Sequence, residues 1–253
     1  MKDRNNLIFV KMPGQRIDED ADIIIDCSDI DGTNAYCDET AKEELRRRFY
    51  AYGYEGVHIL GSGNYHYLSL FWTEKIEEDY ALVLIDHHPD CQQSAFAEVT
   101  SCGGWVREAL LTQTHLKKVY MLGVDEGLLS EVIEAAVREE KDMITASERE
   151  SRNAAGDAWY ASIEHGLPKD AKSLPLFISI DTDAMSPDYA ACDWDQGEMT
   201  IDELTGILKN LSRDHRILGV DICGEKKDPT EKEYGLNRDT QRAICDAFCA
   251  QEI

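Results

Sequence analysis

Residues 82–90 read LVLIDHHPD: four aliphatic residues run without a break into two aspartates, two histidines and a proline. A short aliphatic run that ends in polar turn residues has the form of a buried strand with chemistry at its carboxyl end. The same form recurs on both sides of this segment. Val57 to Leu60 leads into Gly63, Asn64, Tyr65 and His66, and Leu176 to Ile180 leads into DTDAMSPD, which begins at Asp181.

Between these runs lie helical patterns. Ile23 to Ile25 is followed by Glu39 to Tyr50, Val57 to Leu60 by a segment near Tyr67 to Lys75, and Leu82 to Ile85 by Val106 to Leu111. Lys118 to Leu122 precedes Leu128 to Glu139, Leu176 to Ile180 precedes Ile201 to Leu211, and Ile217 to Asp221 precedes a closing helix from Asp239 to Ala250. Met143 to Thr145 is a weaker strand candidate. Strands that alternate with helices predict a single three-layer α/β/α domain over residues 1–253, with a mainly parallel central sheet covered on both faces. In such a sheet ligands gather beyond the carboxyl ends of the strands, where the three polar clusters fall.

The composition narrows the class of partner. Fifty acidic against 26 basic residues give a formal charge of −24, which repels phosphate backbones and anionic lipid headgroups and favours a cationic substrate or metal ions. Leu7 to Val10, the apolar run nearest the start, is too short for a secretory core or a membrane span, so a cytoplasmic protein is expected, with neither nucleic acid nor membrane as partner. Eight cysteines without a CxxC pair read as reduced thiols and exclude a zinc ribbon or a thioredoxin-type centre.

Within DHHPD, Asp86, His88 and Asp90 alternate, so an extended backbone would direct all three to one side. Asp181 and Asp183 repeat that spacing, and two buried carboxylates so close repel unless a cation neutralises them; turn formation and capping are the competing explanation. Together with His66 the set is four aspartates and two histidines. Hard oxygen donors mixed with imidazole suit two divalent ions, Mn²⁺ foremost, and a water between them would ionise near neutrality.

The ordered motifs resemble those of the arginase family of ureohydrolases, which is related in fold to histone deacetylases. GNYH at Gly63 to His66 is similar to the family's GGDH, DHHPD to its DAHxD, and SIDTDAMSP from Ser179 to its SxDxDxxDP. The likeness extends from about Val57 to Asp221, with Gly197 and Thr200 similar to a GG(L/M)T turn. It implies that Asp86 and Asp181 bridge two ions, with His66 and Asp90 completing one and His88 and Asp183 the other. Asp90 and Cys102 are then the candidate catalytic residues, and Glu225 the candidate partner of the substrate cation. The implied activity is hydrolysis of a C–N bond in a small guanidino or amidino compound, or in a peptide arginine, by a chain that forms homo-oligomers as relatives do.

The match also breaks. Cys102 stands where a histidine belongs in the agmatinase SHGT stretch; Glu225 lies one residue beyond the glutamate of DIxExxP; and Tyr65 replaces the aspartate of GGDH. Trp105 and Trp194 neighbour the site motifs as pocket wall or packing. Three alternatives follow: a DHH-type phosphoesterase, against which motif order and charge both count; a single-zinc deacetylase-like amidohydrolase; and a metal-binding protein without catalysis.

Overall fold

The computed structural model describes residues 7–16, 20–94, 96, 98–139, 160–162 and 174–249. Among them, eight strands form one sheet in which every pairing is parallel. They are β1 (Leu7–Lys11), β2 (Ile23–Asp26), β4 (Val57–Ser62), β5 (Tyr80–Ile85), β7 (Leu116–Leu122), β8 (Tyr160–Ser162), β9 (Leu176–Asp181) and β10 (Ile217–Glu225), in the order β2-β1-β4-β10-β9-β5-β7-β8. The remaining two, β3 (Tyr36–Cys37) and β6 (Thr100–Ser101), form a small antiparallel ladder of their own.

The central strands are aliphatic on both faces because helices cover both. Alternate side chains of β5 show this: Leu82 and Leu84 join one core, Ala81, Val83 and Ile85 the other. The first core is closed by α1 (Glu39–Phe49), α2 (Ser69–Thr73), α3 (Trp105–Thr112) and α4 (Glu126–Glu139), which contribute Phe49, Trp72, Val106 and Leu129. The second is closed by α5 (Ile201–Asp214) and α6 (Glu231–Cys249), through Leu204, Leu208, Leu211, Ile244 and Phe248. Leu204, Leu208 and Leu211 recur at helical spacing, and a capping box between Thr200 and Glu203 starts α5 ahead of them.

Several elements differ from the sequence reading. Leu7 to Val10, set aside as a short apolar run, forms strand β1 together with Lys11. The segment near Tyr67 to Lys75 is a 3₁₀ turn over Gly63–Leu68 that runs into α2. The closing helix starts at Glu231, eight residues before Asp239, because Thr230 and Glu233 exchange capping bonds there. Met143 to Thr145 lies outside the described residues.

After β4 the chain crosses to β5 and only later returns to lay β9 and β10 between them. The carboxyl ends of β4, β5, β9 and β10 therefore converge at the point where the order of the strands reverses, the place where open α/β sheets bind ligands.

Candidate metal centre

The convergence brings His66, Asp86, His88, Asp90, Asp181 and Asp183 around one cavity, which Tyr36, Gln92, Cys102 and Trp194 also line. His66 comes from the 3₁₀ turn after β4. Its Nδ1 lies 2.9 Å from Asp90 Oδ2, 3.2 Å from Asp86 Oδ2 and 3.6 Å from Asp181 Oδ2. The other ring nitrogen, Nε2, is 2.8 Å from the Ser179 hydroxyl, so Nδ1 is the atom presented to the cavity. His88 faces the opposite wall, with Nδ1 2.9 Å from Asp183 Oδ2 and 3.6 Å from Asp86 Oδ1.

Each carboxylate is anchored by an N–H donor. One oxygen of Asp86 accepts from the His88 main-chain N–H at 2.6 Å, one of Asp181 from the Asp183 N–H at 2.9 Å, and one of Asp183 from the His87 N–H at 3.0 Å. In these three the second oxygen is turned to a histidine. Asp90 Oδ2 accepts from Trp105 Nε1 at 2.8 Å. Capping and ligand presentation are thus not alternatives for Asp181, since Oδ1 caps the turn at Thr182–Ala184 and Oδ2 faces His66.

The DHHPD segment is not the extended strand that the spacing suggested. The strand ends at Ile85, and Asp90 adopts a left-handed backbone with φ +47°. A non-glycine residue in that region is held there by its surroundings, and such strain gathers at functional sites. Here the Val106 N–H bonds the Asp90 carbonyl, and Trp105 holds the side chain.

The charges demand compensation. Asp86, Asp90, Asp181 and Asp183 are nearly inaccessible. Burial, reinforced by the neighbouring carboxylates, pushes the acids of Asp181 and Asp183 up to about 6, and it raises Asp86 and Asp90 as well. Burial opposes charge on His88, but its contacts with Asp183 and Asp86 prevail and push it up to about 11; His66 is raised in the same way, against burial, by Cys223 and its carboxylate neighbours. Asp86 Oδ2 lies near His66 Nδ1 yet receives no hydrogen bond. A buried carboxylate oxygen with no donor is costly, and a cation between the two histidines would satisfy it. Among the described residues, the donor atoms form three groups close enough for one ion each: His66, Asp86 and Asp90; Asp86, His88 and Asp183; and His66, Asp181 and Cys223. Asp86 is common to the first two. Asp181, paired with Asp86 as a bridge by resemblance, stands in the group around His66 alone.

The other sequence candidates are divided. Cys102 lines the cavity, its thiol pushed up to about 12 by burial and by Asp90. Glu225 does not line it: its carboxylate accepts from Gln241 of α6, and it borders a separate cleft with Arg16 and Lys226. Gly224 explains the difference. With φ +106°, its backbone presses on Asp181, and a Cβ there would lie 2.3 Å from Asp181 Oδ1. A glutamate one residue earlier, as in DIxExxP, has no room. Trp194, which lines the cavity as Tyr36 does, is 44% exposed, whereas Trp105 is fully buried.

The sequence profile described as the Arginase family matches residues 11–234. The chain belongs to the arginase family. An uncharacterized protein of Thermotoga maritima is 30% identical over 176 residues, which cover 70% of this chain and 60% of that one. The chain thus spans about three fifths of that relative's length. Among solved structures, formimidoylglutamase from Bacillus subtilis superposes with a TM-score of 0.61 at 12% identity, covering 98% of this chain and 88% of that one. Proclavaminate amidino hydrolase from Streptomyces clavuligerus gives 0.62 at 13%, covering 98% and 94%. Entamoeba histolytica arginase gives 0.60 at 14%, covering 99% and 100%. At these identities the arginase-family structures share the fold with this chain. The acidic cluster lies where that fold's strands end.

Three residues of this family member escaped the sequence reading as parts of the centre. Ser179 orients His66, Trp105 orients Asp90, and Cys223 Sγ donates to Asp181 Oδ2 at 3.2 Å. Ser179 precedes Asp181 by two residues on one strand face, a signal that the spacing contained. The positions of Trp105 and Cys223 depend on packing between distant segments.

Proposed function

We propose that this protein is a binuclear metal-dependent hydrolase that cleaves a C–N bond of a small guanidino or amidino compound. The observation that carries the reading is Asp86, whose oxygens face both His66 and His88, so that one carboxylate serves two groups of donors. Four carboxylates balance the charge of two divalent ions, and the family's amidino hydrolase and arginase supply the substrate class. When bound, such ions polarise the substrate and lower the pKa of water toward neutrality.

The chain's own residues do the rest. Main-chain N–H groups and Trp105 fix the carboxylates before any ligand arrives, so little reorganisation accompanies binding. Without ions in place, burial and Asp90 push the Cys102 thiol up to about 12, so that it stands in the cavity wall as a hydrogen-bond donor. Gln92 and Ser101 offer neutral polar groups, and the exposed rings of Tyr36 and Trp194 offer π faces to a planar cation at the mouth. Among the described residues, no charged side chain lines the cavity apart from the candidate ligands.

The test is metal analysis coupled to a screen. Protein loaded with Mn²⁺ should hold close to two ions per chain and release urea, ammonia or formamide from a guanidino or amidino compound, and Asp86→Ala should lose both ions. The second reading, a metal-binding protein without catalysis, draws on Glu225 lying outside the cavity. It would prevail if two ions bind and no compound in the screen is hydrolysed.

A further inference from the structure

The sulfur of Cys223 lies inside the centre, and neither the motif pattern nor the six-residue ligand set has a place for it. Cys223 is 1% exposed, and its Sγ is 3.2 Å from Asp181 Oδ2, which is itself 3.6 Å from His66 Nδ1. Ligand atoms bound to one ion at about 2.0–2.3 Å stand roughly 3–4 Å apart, so these separations are those of donors around a single cation. The strand is shaped to bring the sulfur there. β10 breaks register with β4 on both sides of Cys223, which pairs with Gly61 at φ +78° and is followed by Gly224 at φ +106°. A bulge next to a site re-aims a side chain. This one leaves Cys223 against Asp181 and His66 while Glu225 leaves the cavity toward Gln241. A second observation points to a ligand independently of the thiol: the buried, unpartnered Asp86 Oδ2, 3.2 Å from the same imidazole nitrogen.

We infer that Cys223 ligates the ion held by His66, so that this position takes zinc, or another ion tolerant of sulfur, in preference to manganese. The inference rests on the proposed metal centre but not on its catalysis. Manganese favours carboxylate, carbonyl and water oxygen, whereas a thiolate strengthens binding of zinc and cobalt far more than of manganese. On binding, the S–H proton now shared with Asp181 leaves to solvent as the sulfur–metal bond forms, with no change of oxidation state. The position around His88 has only oxygen and imidazole donors, so the two positions should differ in metal preference.

The experiment uses the full chain with Co²⁺ as probe. Protein freed of metal and reloaded with Co²⁺ should show a near-ultraviolet thiolate-to-cobalt charge-transfer band that persists in Cys102→Ala and in Cys192→Ala, which removes the thiol 3.8 Å from Thr182 Oγ1, and vanishes in Cys223→Ser. Competition between Zn²⁺ and Mn²⁺ should show Cys223→Val losing at least about tenfold of the wild-type preference for zinc, the scale on which a ligand's own partners already act. Cobalt bound at two ions per chain without that band, or a band that depends on Cys102 instead, overturns the assignment while leaving the centre intact. Failure of the wild-type protein to bind Co²⁺, Zn²⁺ or Mn²⁺ overturns both the assignment and the proposed function.

Discussion

Trp105→Phe isolates one hydrogen bond at the centre. The indole is fully buried and gives its N–H to Asp90 Oδ2 at 2.8 Å, the same oxygen that lies 2.9 Å from His66 Nδ1. Phenylalanine keeps an aromatic ring 15 positions after Asp90 and can still pack near His66, whose ring centroid is 5.1 Å from that of Trp105. What disappears is one donor to a buried carboxylate, worth about 1.5–3 kcal/mol for a charged partner. At about 1.4 kcal/mol per decade, the ion between His66 and Asp90 should bind roughly 10- to 100-fold more weakly, the range in which metal sites respond to loss of an orienting group. The ion between His88 and Asp183 has no contact with Trp105 and should keep its affinity within about twofold. Titration of metal-free protein against a competing chelator resolves the two steps. Equal weakening of both would mean that the substitution loosens the fold rather than the carboxylate, and two unchanged affinities would refute the orienting role of the indole.

Three further outcomes follow from the same geometry. In metal-free protein, Asp181 and Asp183 hold protons up to about pH 6 that the unfolded chain, with a carboxyl pKa near 3.8, has already lost, so stability falls as pH rises through that window. His88, raised from 6.5 to about 11, contributes fully below its unfolded value and loses that contribution as pH climbs toward 11, so the melting-temperature gain on adding metal should widen from pH 5 to pH 9; a constant gain would show that protons do not occupy the ions' places. Gly224→Ala should cost about 1–3 kcal/mol from backbone strain alone and weaken metal binding as well, since its Cβ would meet Asp181 Oδ1, Thr182 Oγ1 and Thr182 N; an unchanged denaturation midpoint would contradict the close approach. Cys102→Ala should leave both ions bound and, on an active substrate, lower kcat with KM little changed if the thiol donates a proton in the reaction; unaltered turnover would make Cys102 part of the wall.

How much of this centre was visible before the fold depended on the distance over which each feature is decided. The strand ends at Ile85 and Asp181, and the helices that follow, are local matters of aliphatic runs and caps, so the sheet and six of its polar residues could be placed from short stretches. What those residues do with each oxygen could not. The alternation in DHHPD suggested an extended backbone, but Asp90 is drawn into a left-handed conformation by Val106 and Trp105, residues of α3 that no pattern within DHHPD reveals. Glu225 lies outside the cavity for a related reason. A motif match counts residues along one strand, and the bulge around Cys223 changes which of them face the cavity, because register is a property of β10 together with β4 and β9. The same displacement that removes a carboxylate from the cavity leaves a sulfur beside His66. On the proposed reading, the bulge at residues 223 to 225 therefore has two chemical consequences, a cavity wall without the Glu225 carboxylate and a sulfur donor beside His66, and any side chain placed at position 224 would have to displace Asp181 and Thr182 before it could enter the cavity.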